Sequence, residues 1–179
     1  MKNCILFLLS AVLLASCGTS MEVFSDSDKA LNISNYHTYN WPQLKAIESK
    51  GMNPLYYNEL NDKRIRDAVN KEMAARNFSM STGSAELEIH YHIIVEDKMG
   101  TYTETGGNQN HPMAYTPRIT NYQYRQGTLI IDVMDIKTNS LVWRGWATDV
   151  VTNTARKNPE AAIQNAVSKI FKVFPKVTQ

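Results

Sequence analysis

The chain predicts an α+β fold, a two-layer sandwich in which an antiparallel sheet of about four to five strands carries two helices on one face. Three observations predict it. Residues 85–95, AELEIHYHIIV, alternate apolar and polar through His92. Residues 128–147, TLIIDVMDIKTNSLVWRGWA, read as two apolar-rich runs joined by a polar turn. Two segments with a helical apolar period, each opened by Asn-Pro, flank these strands. The element order is ββ-α-β-ββ-α, with no internal repeat and no parallel βαβ series. The 179 residues suffice for one domain with its own core.

The amino-terminal residues stand apart from that domain. Lys2 gives a positive start, and residues 4–14 form a dense apolar run. The run is shorter than the roughly 20 residues that a bilayer span needs, and it suits the core of a signal peptide. It ends in Leu14-Ala15-Ser16-Cys17, which resembles the lipobox of bacterial lipoproteins. That resemblance implies a signal peptide over residues 1–16, cleavage before Cys17, and acyl chains on the Cys17 sulfur and new amino group. At ~0.8 kcal/mol per buried methylene, several chains make a lasting membrane anchor. Cys4 would leave with the leader and Cys17 would be acylated, so no disulfide, thiol catalysis or thiolate metal site is expected. Gly18 after the cysteine, rather than Asp, resembles the outer-membrane sorting pattern. The lack of a compact acidic run resembles lipoproteins that face the periplasm. A formal charge of +2 argues against a nucleic-acid partner.

Residues 17–34 read as a tether with a short first strand at 21–24 and a polar turn, Ser25-Asp26-Ser27-Asp28. The turn lacks the central Gly and closing Glu of a calcium loop. A single domain is expected over residues 35–179. Asn35 to Trp41, NYHTYNW, reads as the second strand, closed by Pro42. Asn53-Pro54 reads as cap and first helical residue of a helix reaching about Arg76. Tyr57, Ile65, Ala68, Val69 and Met73 form its stripe, Asp62, Lys63, Arg66 and Lys71 point outward, and Asn77 is its left-handed terminator. In residues 85–95, Leu87, Ile89, Tyr91, Ile93 and Val95 face the core, while Glu86, Glu88, His90 and His92 face away, as in a sheet covered on one side. Residues 97–127, broken by Gly and Pro and scattered with Tyr, read as an irregular loop. In the hairpin, Lys137-Thr138-Asn139 places Asn139 at a left-handed position. Leu129, Ile131, Val133, Leu141, Trp143, Gly145 and Ala147 then share the core face, and Ile130, Asp132, Met134, Val142, Arg144 and Trp146 share the other. Asn158-Pro159 starts the last helix, striped by Ile163, Ala166, Val167, Ile170, Phe171 and Phe174, and Pro175 stops it.

In order along the chain stand the lipobox, Tyr36-His37-Thr38-Tyr39-Asn40-Trp41-Pro42, Gly127-Thr128-Leu129-Ile130-Ile131-Asp132, Leu141-Val142-Trp143-Arg144-Gly145 and Ile170-Phe171-Lys172-Val173-Phe174-Pro175. Together they resemble the lipoproteins that carry domain of unknown function 4136, over nearly the whole chain after Cys17. Asn139 stands where Gly would be expected in the hairpin turn. The resemblance implies an envelope lipoprotein with an α+β domain, and it brings no catalytic residues.

Candidate chemistry is sparse. His90 and His92 lie two apart on one strand face beside Glu88, a spacing that can ligate zinc, although a solvated polar face is the favoured reading and no metal is expected. Asp132 and Arg144 read as an opposed structural pair worth under ~1 kcal/mol, and Asp135 as a turn cap. No nucleophile elbow or phosphate loop occurs, so neither an enzyme nor a cofactor is expected. Trp146, Ile130, Met134 and Val142, with Asp132 and Arg144, form a candidate interaction surface. A fold-over of the Tyr-rich loop, or reversed strand faces, would remove it. The expected function is a lipid-anchored, non-enzymatic module that binds another envelope protein. The alternatives are a small-ligand or lipid-binding domain with a pocket between sheet and loop, and a zinc enzyme built on His90 and His92.

Overall fold

The hairpin forms around its turn, and the rest of the sheet is laid against it. Asp135 Oδ1 accepts the Thr138 amide at 2.9 Å, and Asn139 takes the left-handed conformation at φ 53°. In the computed structural model, which describes residues 21–42, 53–104 and 118–175, one mixed six-stranded sheet packs against three helices. The elements are β1 (Glu22–Ser27), a 3-10 turn (Ile33–Asn35), β2 (Thr38–Asn40), α1 (Glu59–Ala74), β3 (Ser79–Met80), β4 (Leu87–Glu104), β5 (Arg118–Asp135), β6 (Ser140–Val150), α2 (Asn153–Lys157) and α3 (Pro159–Lys172). Spatial order in the sheet is β1-β6-β5-β4-β2-β3. The expectations for the signal peptide and Cys17 lie outside the described residues.

The α+β class holds, but the sheet is larger than expected and its order differs. β1, β6, β5 and β4 pair antiparallel, whereas β2 pairs parallel with both β4 and β3. The passage through α1 returns the chain in its original direction, which parallel pairing requires. Strands of three and two residues carry no readable period. The Glu86 carboxylate fastens this edge, accepting the amides of His37 at 2.7 Å and Thr38 at 2.9 Å. These two amides hold its pKa below the ordinary carboxylate value.

The irregular loop expected at 97–127 is largely strand. β4 and β5 stay in register from Leu87↔Asp135 to Glu104↔Arg118, while β6 reaches only Gln126↔Val150. Beyond that point the two strands continue as a ribbon. Its faces are both wet, so no apolar alternation marks it. Tyr122 lies over Gly100, where a β-carbon would sit 2.5 Å from the ring, and it contacts Tyr102 and Tyr124.

Helix α1 begins later than Asn53-Pro54 suggests. Asn53 instead caps a turn by accepting the Leu55 amide, and Asn58 caps the helix by accepting the Asn61 amide at 2.9 Å. Tyr57 thereby stays outside the helix. Its hydroxyl accepts the Ile93 amide at 2.6 Å and donates to the Ile93 carbonyl at 2.7 Å, closing part of the free β4 edge. Asn77, at φ 66°, ends the helix as expected, with the Phe78 amide returning to the Met73 carbonyl. Asp62 and Arg66 do not point outward. Asp62 is buried, pairs with Arg66 at 3.0 Å and accepts the Tyr91 hydroxyl at 2.8 Å. A tyrosine on a core face needs a partner for its polar end, and the Arg66 guanidinium packs over Trp41 at 4.7 Å. The core lies between the sheet and helices α1 and α3, and in it Trp143 meets Phe171 and Phe174 at ring distances of 5.9 and 4.8 Å.

Candidate functional site

Helices α1 and α3 lie on one side of the sheet, with Leu87, Ile89, Ile131, Val133, Trp143 and Ala147 buried beneath them. The other side carries two transverse rows, set by the strand registers. One runs His92, Ile130, Trp146, Phe24 across β4, β5, β6 and β1. The next runs His90, Asp132, Arg144, Asp26. An aromatic and aliphatic row therefore lies beside a charged one.

Most of the residues expected on this surface are there. Phe24 stacks on Trp146 at 5.7 Å, and its exposed side is 49% accessible. Ile94 adds a 45% exposed side chain one row further on, opposite Thr128. Neither was singled out from the sequence. Ile94 simply continues the even-numbered face of β4, a signal that was available. Phe24 needed the β1–β6 pairing, which no local pattern encodes.

Val142 is a correction. The register shifts between Val133 and Met134, so that Val133 faces Trp143 while Met134 faces Leu141. Val142 is the extra residue of a β-bulge, which turns it inward, and it is buried with Trp143. Leu141, expected in the core, takes the place opposite Met134.

The charged row is tightly built. Arg144 donates from Nε to Asp132 Oδ1 and from Nη2 to Oδ2, both at 2.6 Å. That bidentate pair holds the Arg144 pKa above its ordinary value. Asp132 is 4% exposed although no helix among the described residues covers its face. Arg144 and His90 flank it across the strands, and Ile130 and Met134 flank it along its own. The reading of Asp132 as half of an exposed pair is therefore corrected. His92 Nε2 stands 3.7 Å from Asp132 Oδ2, and His90 Nε2 stands 2.7 Å from Glu88 Oε2. His90 and His92 thus face different carboxylates, Glu88 and Asp132. Among the described residues no three His, Cys, Asp or Glu side chains are placed to hold a metal ion. Asp135 serves the turn, taking the Tyr36 hydroxyl at 2.7 Å as well as the Thr138 amide. These bonds lower its pKa, and burial with the same contact pushes Tyr36 up to about 12. The face offers aromatic area, the half-exposed Arg144 guanidinium and two imidazoles.

A cleft of about 910 Å³ opens on the opposite, helical side, between the sheet and the first turns of α1 and α3. Among the described residues no helix is long and apolar enough to cross a membrane.

Residues 23–176 match the sequence model of a family described as a domain of unknown function, DUF4136. A DUF4136 family protein from Bacteroides thetaiotaomicron is 18% identical, with TM-score 0.55, covering 90% of this chain and 99% of that one. A PDZ domain protein from Parabacteroides distasonis is 9% identical with TM-score 0.55, and the match covers 89% of this chain. The likeness spans only 37% of that protein's length. At such identities the likeness shows the fold alone. No curated protein matches the chain.

Proposed function

Because this chain belongs to the DUF4136 family, a domain without an assigned activity, we propose its role from its surfaces: a lipid-anchored, periplasm-facing lipoprotein of the outer membrane, whose domain binds another envelope protein through the helix-free sheet face. The observation that carries the reading is the row His92, Ile130, Trp146, Phe24 beside the row His90, Asp132, Arg144, Asp26. Large apolar side chains left in water next to an oriented Arg are the composition of an interface. Catalysis has less support. Asp132 is committed to Arg144 and Glu88 contacts His90. The lipobox at Leu14-Ala15-Ser16-Cys17 supports the anchor.

The test pairs two variants. Cys17→Ser is expected to move the protein from the membrane fraction to the soluble periplasm; continued membrane association would remove the anchor from the account. Phe24→Lys with Ile94→Lys, both at exposed positions, is expected to abolish a stoichiometric protein partner that co-purifies with the parent. A partner retained by this double variant would place the interface elsewhere.

A further inference from the structure

The floor and inner walls of the cleft on the helical side are hydrocarbon. Ile93, Leu129 and Ala147 form its floor, and Ile65 from α1 with Ile163 and Ala166 from α3 form its walls. Its volume of about 910 Å³ falls in the range of small-molecule sites, ~300–1,000 Å³. Leu55 and Leu60 stand at its rim, 66% and 64% exposed. Of the cations that line it, Arg64 donates to Asn61 Oδ1 at 2.9 Å, and Arg156 and Lys157 stand exposed on α2. The aliphatic floor takes hydrocarbon, and the polar and cationic side chains lie around it.

Met21 also lines the cleft. It lies four positions after Cys17, and four extended residues span at most about 14 Å. We propose that the cleft holds one acyl chain of the Cys17 anchor, so that the domain grips part of its own lipid. The proposal rests on the lipoprotein reading above. Bilayer hydrocarbon and an aliphatic protein lining are similarly apolar, so a chain can pass between them with little penalty. A gripped chain would hold the helical side toward the membrane and leave the opposite sheet face directed at the periplasm.

The test is photocrosslinking of the full-length protein in intact cells, with benzoylphenylalanine in place of Leu55 or of Ile163. Leu55 is exposed and tolerates the probe even if the Ile163 variant packs poorly. After proteolysis, mass spectrometry is expected to find the probe peptide joined to the acylated peptide that begins at Cys17. Ala166→Trp, which fills the cleft, is expected to remove that product from both positions. An adduct with a free phospholipid, with another protein or with residues 43–52 would overturn the proposal, as would no adduct. An amino-terminal peptide without acyl groups would overturn the lipoprotein reading itself, and the same spectrum reports it separately.

Discussion

Gly145→Ala is the substitution that the packing of this fold should tolerate least for its size. A β-carbon at Gly145 would meet Trp143 Cη2 at 2.3 Å, Trp143 Cζ2 at 2.5 Å and Ile170 Cγ2 at 2.7 Å. Carbon atoms pack at ~3.5–4.0 Å, so the indole would have to retreat by about 1 Å. It has nowhere to go, because Phe171 and Phe174 back it and Trp143, Ile170 and Phe171 are 1% exposed or less. Overpacking a full core costs ~1–3 kcal/mol and sometimes more, and this contact involves three atoms in one direction. A loss of about 3 kcal/mol is expected, read as a fall in the urea midpoint at unchanged slope. Gly83→Ala is the control. Nothing lies within 4 Å of its added carbon, so a change within ~0.5 kcal/mol is expected. Trp143→Phe should relieve the clash, making Gly145→Ala cheaper in that background than alone. A Gly145→Ala cost below ~1 kcal/mol, or strict additivity with Trp143→Phe, would refute the packing described here.

Three further outcomes follow from named contacts. Trp143→Ala should cost ~3–5 kcal/mol, as truncating a buried Trp does, whereas Trp146→Ala, half-buried under Phe24, should cost about 1–2 kcal/mol; urea melts giving the opposite order would reverse the faces of the sheet. Arg144→Met should cost ~1–3 kcal/mol by stranding the buried Asp132 carboxylate, and Asp132→Leu added to it should restore most of that loss. No recovery in the double variant would mean the pair is not what matters at that site. For pH, the folded Asp135 pKa lies below the ordinary 3.8, so its contribution is complete above that value and is lost as pH falls through the lowered one. Tyr36 has the opposite sign: raised from 10.0 to about 12, it contributes fully below pH 10 and loses that contribution as pH rises through 12. Urea midpoints against pH for Asp135→Asn should flatten at both ends relative to the parent, and parallel curves would contradict the Tyr36–Asp135 contact.

Elements that bury one face and end on a backbone signal were legible in the sequence. The alternation of Leu87, Ile89, Tyr91, Ile93 and Val95 marked β4, and Asn158-Pro159 marked α3, whose Val167, Ile170 and Phe171 are buried, as is Phe174 just beyond its end. The bulge at Val142 was not legible, since an inserted residue shifts the register without altering local composition. The ribbon was missed because a two-stranded extension in water buries neither face and needs no period. The polar group on α1 misled for a different reason. Asp62 and Arg66 look solvated on a helical wheel, and only the arrival of Tyr91 and Trp41 from elsewhere in the chain makes them interior. At the candidate site, Ile130, Asp132, Met134, Arg144 and Trp146 could be read from the hairpin alone. Phe24 depended on the pairing of strands more than a hundred residues apart.

The central claim is that the helix-free face is occupied in the cell. Photocrosslinking from position 146 in the full-length protein tests it most directly, with Gln164, exposed on α3, as the control position. The account predicts one dominant protein adduct from position 146 and none of that species from position 164. The same adduct from both positions, or none from position 146 when the protein is present at normal level, would contradict it.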